Sequence, residues 1–409
     1  AVCAQEKRVR AYKYVWRKQG IGMGSCGALL GGVLGVLAIF MTMKAHEAGE
    51  FKTLRTHGME GCRRLGTGEG VIGAEDIHFR RDGVAIISSD DRWYWETNLL
   101  QNFSFRVPNA KAQGGIFSYN PATDRVQKLR HAGDSFPHDF HPHGISILPR
   151  SGFEPGSESK VTRIFAVNHR RDGDAVEVFE AASDELKHVM TVQSSLWKNI
   201  NDVAATEGGF YVTNYIERVP FTHPLAVPEL LNLGVEIGAG GYVLWCRLDA
   251  GKGEEPCLKV MQGLRMPNGI EMSTDGQQVF VLESLGQRVV SYSVPPEGHG
   301  GKLVPEKTLR FGSACDNLSL SPSGRVYTAC HPKAMTYKFL HAKKPSTFRS
   351  PSQVMSFDQS LGSLREDLLS ADGDPVSGSS SGAFHGSTLL MGGINDPGFL
   401  ACSGRSEAS

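Results

Sequence analysis

Six short segments of the chain share one pattern: a polar residue, a small or acidic residue, then an apolar strand. They are Glu75-Asp76-Ile77, His143-Gly144-Ile145, Asn201-Asp202-Val203, Asn268-Gly269-Ile270, Asp316-Asn317-Leu318 and His385-Gly386-Ser387. Successive members lie 68, 58, 67, 48 and 69 residues apart. A strand unit recurring at such intervals predicts radial repetition, as in a β-propeller. In a propeller the equivalent position of every blade faces one central channel. Glu75 and Asp316, Asn201 and Asn268, and His143 and His385 then converge on one small volume. Carboxylate and amide oxygens without thiolates are the donor set that a hard cation such as Ca²⁺ prefers.

The remaining composition narrows the class. There are 43 basic and 43 acidic side chains, so the chain lacks the basic footprint of a nucleic-acid binder. Its 48 glycines suit a fold with many tight turns. Eight cysteines in 409 residues are enough for one or two bridges and several free thiols.

The N-terminus predicts a membrane attachment. Lys7, Arg8, Arg10, Lys13, Arg17 and Lys18 form a basic flank over 1–19, and 20–43 carry no charge. Such a run is long enough to span a bilayer as a helix. The flank places residues 1–19 in the cytosol and the body outside or in the secretory lumen. A cleaved signal peptide has the same charge order and would make the protein secreted. Residues 38–48 show no clear small-x-small cleavage site, which favours an uncleaved signal anchor. Gly27, Gly31 and Gly35 share a helix face, so the anchor can pair in a homodimer.

Beyond a polar connector at 44–61, the chain reads as strands and turns over 62–402, with a short tail at 403–409. Hairpin signals recur, as at Thr274-Asp275-Gly276 and Ser321-Pro322-Ser323-Gly324. Residues 240–247 pair plausibly with 258–262. Leu225 to Leu233 reads as a short helix or lid. Residues 341–382, rich in Ser, Pro and charge, read as a mobile connection before the last strand. No H-E-x-x-H motif or C-x-x-C pair is present.

Several segments taken in order resemble the paraoxonase/arylesterase family. They are GAEDIHFRRDGVAIISSD (73–90), HPHGISI (141–147), FAVNH (165–169), NINDV (199–203), MPNGIEMSTDGQQVFVLES (266–284), DNLSLSPSG (316–324), CHP (330–332) and HGS (385–387). The resemblance runs from about 60 to 402. It implies an all-β, six-bladed propeller with two calcium ions in its channel and hydrolysis of lactones and aryl esters. By position, Glu75, Asn201, Asn268, Asp316 and Asn317 would hold the catalytic ion. Asp76, Asp202 and the carbonyl of Ile145 would hold the structural ion. His143 would act as general base on a water, tuned by His169, with His331 as a further channel histidine. A calcium ion there would polarise the substrate carbonyl.

The resemblance also implies a closing disulfide between Cys62 and Cys402, worth about 3–5 kcal/mol on the loop-entropy model. Cys330 matches a free family cysteine and reads as a small buried apolar residue. Cys246 and Cys257 can face each other across a hairpin, in a register left open. Asn102-Phe103-Ser104 is a glycosylation sequon in a loop, whereas Asn317-Leu318-Ser319 fits the pattern but sits at a ligand position. The Trp93-Tyr94-Trp95 segment and Phe103 and Phe105 suit an apolar entrance or a membrane contact.

Two departures from the family stand out. The family has an Asp after Thr-Asn where this chain has Tyr215, so the carboxylate that would stabilise a charged histidine is absent there. The stretch after Gly386-Ser387-Thr388 is short, which predicts a last blade lacking a strand or a misplaced Cys402. Both favour a rival function, a non-catalytic membrane-tethered chaperone or assembly factor, as some paraoxonase-like proteins are. Gluconolactonase-like and strictosidine-synthase-like propellers are a third class, against which the Glu-Asp and Asn-Asp pairs argue.

Overall fold

The computed structural model describes residues 23–91, 113–149, 161–215, 240–342 and 344–407. The expected lid at Leu225–Leu233, the aromatic segment from Trp93 to Phe105 and the sequon at Asn102 lie outside the described residues. Two compact units are present, Ala1–Glu47 and Ala48–Ser409. Among the described residues the first contains one helix, Met23–Glu47, with Lys44 and His46 in its last turn, where cations favour the helix dipole. Among the described residues no helix is long and apolar enough to cross a membrane. The helix does expose large apolar side chains, among them Leu34, Val36, Ile39 and Met43.

The second unit is an all-β, six-bladed propeller. Blade 1 consists of Ala74–Phe79, Ala85–Ser89, Gly115–Asn120 and Arg125–Lys128, from the centre outward. Blade 2 consists of Pro142–Leu148, Thr162–Arg170, Gly173–Ala182 and Glu185–Val192, with Arg130–Ala132 as a fifth, parallel edge strand. Blade 3 consists of Ile200–Ala205, Gly209–Asn214, Gly241–Arg247 and Cys257–Leu264. Blade 4 consists of Pro267–Met272, Gln278–Glu283, Arg288–Ser293 and Val304–Arg310. Blade 5 consists of Ala314–Leu320, Arg325–His331, Ser352–Asp358 and Arg365–Ser370. Blade 6 consists of Ser379–His385, Thr388–Gly393 and Phe399–Cys402, completed by the N-terminal strand Cys62–Leu65. The innermost strands touch in sequence and close a ring.

The inner strands are apolar on both sides because each sheet is sandwiched between two others. Phe165, Val167, Val176 and Val178 of blade 2 pack on Val203, Phe210 and Val212 of blade 3. The outer strands are far more exposed: in Cys257–Leu264 only Cys257, Val260 and Leu264 are buried. Closure follows the same logic. Ile77, Phe117 and Tyr119 of blade 1 pack on Leu390 and Phe399 of blade 6. The strand Cys62–Leu65 pairs antiparallel with Phe399–Cys402, in a register that sets Cys62 opposite Cys402, and the two are disulfide-bonded.

Four expectations change here. The last blade has its full four strands, because the two strands after Gly386 are short but both present. The interval 341–382 contains two strands of blade 5, Ser352–Asp358 and Arg365–Ser370, and the start of blade 6, where a mobile connection was expected. Many of its serines are buried, and their hydroxyls serve backbone amides: the Ser350 and Gln353 amides donate to Ser377 Oγ and Ser379 Oγ at 2.7 and 3.2 Å. Cys330 is not free; it opposes Cys315 across the first hairpin of blade 5, and the two form a disulfide. With Cys246–Cys257, also directly opposed, three disulfides are present among the described residues rather than one or two.

The fourth correction concerns the sixth repeat. His385-Gly386-Ser387 lies at the hairpin end of the innermost strand of blade 6, where Gly386 has φ 61° and the His385 ring meets Phe79 at 5.4 Å. The true equivalent of the other five segments is Ser380-Ser381, so His385 does not join the channel set.

Candidate active site

Every innermost strand breaks register at one place. The pairing shifts between Ala74 and Asp76, Pro142 and Ile145, Ile200 and Val203, Pro267 and Ile270, Cys315 and Leu318, and Ser379 and Gly382. These bulges fall on the repeated polar dipeptides. A bulge frees residues from the ladder and re-aims their side chains. The amides it releases need other partners. Asp76 N donates to Ser88 Oγ at 3.1 Å, and Asp202 N to Thr213 Oγ1 at 3.0 Å, both hydroxyls coming from the second strand of the same blade. Neighbouring bulges sit so close that two must be glycine. A Cβ at Gly144 would lie 2.6 Å from Asp202 Cα, and one at Gly269 2.5 Å from the Asp316 carbonyl oxygen.

The first tier of the site contains Glu75, Asn201, Asn268, Asp316 and Asn317. Asn317 Nδ2 donates to Glu75 Oε1 at 2.8 Å and to the Glu75 carbonyl at 2.9 Å, spanning from blade 5 to blade 1. That bond turns the Asn317 Oδ1 the other way. The Oδ1 atoms of Asn201, Asn268 and Asn317 are all buried and accept no hydrogen bond. A buried acceptor without a donor costs about 1–3 kcal/mol. Three such oxygens in one ring, beside two carboxylates, form a donor set that a hard cation would satisfy. Among the described residues no group of three His, Cys, Asp or Glu side chains is placed to hold a metal. The donors that fit an ion here are largely amides.

His143 adjoins this tier. Its Nδ1 lies 3.0 Å from the Asn201 carbonyl oxygen. A carbonyl can only accept, so Nδ1 carries the proton and Nε2 the lone pair. Nε2 lies 3.5 Å from Glu75 Oε1. The basic nitrogen therefore faces the tier of oxygen donors. The His169 ring packs edge-on against His143, with centroids 4.9 Å apart. His169 Nδ1 lies 3.1 Å from Asp174 Oδ1. Position 215 supplies no carboxylate, as expected, but Asp174 does. His331 lies 3.8 Å from Asp316 Oδ2 and stacks on Tyr337 at 3.8 Å. Tyr337 belongs to the π-helical segment Thr336–His341, whose start is held by Glu50: its carboxylate accepts from the Met335 and Thr336 amides at 2.7 and 3.0 Å.

The second tier contains Asp76 and Asp202, each stapling two blades. Asp76 accepts from the Ile77 and Ile145 amides, both at 2.8 Å. Asp202 accepts from the Val203 and Ile270 amides at 2.7 and 2.8 Å. Burial first, and then the charge of Asp76, push the Asp202 carboxyl well above its ordinary range. Sequence reasoning missed two members of this tier. His78 Nε2 lies 3.4 Å from Asp76 Oδ2, and its Nδ1 3.7 Å from Glu271 Oε2. Burial lowers the His78 pKa, but attraction to Asp76 and Glu271 prevails and raises it. Each lies one residue past a repeated segment, on the continuing strand.

The class defined so far is a six-bladed propeller with a two-tiered polar centre. The chain belongs to the arylesterase family, whose model matches residues 72–401. It is similar to human serum paraoxonase/arylesterase 1, with 27% identity over 331 residues, 79% of this chain and 83% of that protein. Human serum paraoxonase/arylesterase 2 is 26% identical over 329 residues, covering 78% and 83%. A gluconolactonase from Xanthomonas campestris has a solved structure that superposes with a TM-score of 0.45 at 13% identity, covering 85% of this chain and 92% of that one.

Proposed function

We propose that this chain is a calcium-dependent hydrolase of carboxylic esters, with lactones and aryl esters as its substrates. One observation carries the reading: three buried amide oxygens without donors lie in the tier that the lone-pair nitrogen of His143 faces. Membership of the arylesterase family and the likeness to the serum paraoxonases support it.

Glu75, Asn201, Asn268, Asp316 and Asn317 would hold a catalytic Ca²⁺, and Asp76, Asp202 and the Ile145 carbonyl a second, structural one. When bound, the catalytic ion supplies positive charge that polarises a carbonyl and favours an oxyanion. The protein's residues do the rest. His143, fixed through Nδ1, takes a proton from water at Nε2. Glu75 lies beside that nitrogen and favours the imidazolium once formed. His169 buttresses the ring from its edge.

The placement we propose is a signal anchor at 20–43, with the propeller outside the cytosol. Three disulfides support an oxidising compartment. The exposed apolar side chains of Met23–Glu47 support a lipid or helical partner, and Gly31 and Gly35 leave room for close pairing. The chaperone alternative rested on a missing carboxylate and an incomplete blade. Asp174 beside His169 and the four strands of blade 6 weigh against both grounds. Assay of the purified full chain in detergent against an aryl acetate and a δ-lactone tests the hydrolase reading. Turnover of either supports it, and inertness to both with a folded protein returns the choice to the chaperone.

A further inference from the structure

We propose that Asp174 is the positioning residue of His169, a carboxylate supplied from the neighbouring strand of blade 2 in place of one at position 215. The inference rests on the hydrolase reading only for its kinetic consequence.

The pairing of two strands makes the contact. Thr162–Arg170 and Gly173–Ala182 form a tight hairpin in which His169 opposes Asp174 and Arg170 opposes Gly173. Directly opposed residues project to the same face of a sheet, with Cβ atoms about 4.5–5.5 Å apart. A slip of one residue would send Asp174 to the other face. The turn is pinned against such a slip. The Arg171 amide and Nε donate to Asp139 Oδ2 at 2.8 and 3.2 Å, and Arg170 pairs with Asp172 at 2.9 Å.

Both side chains are buried, so the pair is shielded from water. The other carboxylate oxygen, Asp174 Oδ2, lies 3.4 Å from the Ile200 amide. The next residue on that strand is Asn201, whose carbonyl fixes His143. One short stretch of blade 3 thus orients both histidines, one directly and one through Asp174. A carboxylate accepting at Nδ1 keeps the proton there and the lone pair on Nε2. The Tyr215 amide donates to the Asn199 carbonyl at 2.8 Å.

The test uses the full chain with calcium in detergent. Selective ¹⁵N labelling of histidine, with His169→Gln to assign the signal, reads the tautomer of His169 in the unmodified protein. We expect the Nδ1–H form. An Nε2–H form overturns the proposal, whether or not the protein hydrolyses anything. In kinetics, Asp174→Asn should lower kcat by roughly 10–100-fold with KM little changed, as loss of an orienting partner does. Adding Asp174→Asn to His169→Gln should cost nothing further, because the carboxylate acts through that ring. Multiplying losses overturn the proposal. If the wild type turns over neither ester nor lactone, the hydrolase reading falls, and the tautomer alone decides the pairing.

Discussion

Asn317 and Glu75 come from blades 5 and 1, yet they share two hydrogen bonds at 2.8 and 2.9 Å, both donated by one amide nitrogen. The pair fixes which end of the Asn317 amide faces the ring centre, and it is the oxygen. The Asn317 Oδ1 accepts no hydrogen bond in the protein, and the same holds for the Oδ1 atoms of Asn201 and Asn268.

Glu75→Gln keeps the shape of the pair and removes the charge. We expect turnover of ester and lactone to fall by at least about 10²-fold, since an anionic ligand of the cation is lost. Melting temperature in calcium, measured beside activity, should fall only modestly. Full activity would exclude Glu75 from the site.

His143→Gln should lower kcat by about 10²–10⁴-fold, the usual range for a general base, with a small change in KM. A rise in KM alone, with kcat kept, would make His143 a binding residue.

Asp76→Ala should lower the melting temperature and shrink its response to added calcium, because the second tier loses both a ligand and an inter-blade staple. An unchanged response would remove Asp76 from the ion site.

The Cys315–Cys330 bridge closes a short loop, so Cys330→Ser should cost about 3 kcal/mol on the loop-entropy model. Non-reducing peptide mapping should recover the two cysteines joined. Recovery of a free Cys330 thiol would contradict the structure.

Five of the six bulges were legible because each carries a polar dipeptide that strand periodicity does not explain. The sixth was not. Ser379, Ser380 and Ser381 read as linker, since serine hydroxyls satisfy turns as readily as they satisfy a buried bulge. His385 drew attention by residue type, although it sits at the opposite end of its strand. The same ambiguity hid the strands at Ser352–Asp358 and Arg365–Ser370, whose buried serines mimic a solvated connection. Cys330 was read as free because the family resemblance implied it, whereas the pairing of Ala314–Leu320 with Arg325–His331 sets it opposite Cys315. Asp174 carried no signal at all. It opens the alternating run from Asp174 to Glu180, and only the two-residue turn before it brings the carboxylate opposite His169.

Far from the channel, Asp358 organises a turn. Ser360 N and Gly362 N donate to its Oδ1 at 2.8 and 3.1 Å, and Ser363 Oγ to its Oδ2 at 2.5 Å. Hydrogen bonds from Ser360 and Ser363 hold its carboxyl down to about 2, below the ordinary 3.8. The folded-state pKa is depressed, so this stabilisation is present above about pH 4 and is lost as pH falls through about 2. Asp358→Ala should cost about 1 kcal/mol at neutral pH, with the difference from wild type closing below pH 4. Denaturant melts at pH 7 and pH 3 check this, and a difference independent of pH would contradict it.

The most direct test of the central claim is the rate of δ-lactone and aryl ester hydrolysis by the full chain, measured against free calcium. A rate that is negligible in EDTA and rises to saturation as calcium returns is the predicted result. Hydrolysis at an equal rate in EDTA, in protein shown to be free of metal, would contradict it.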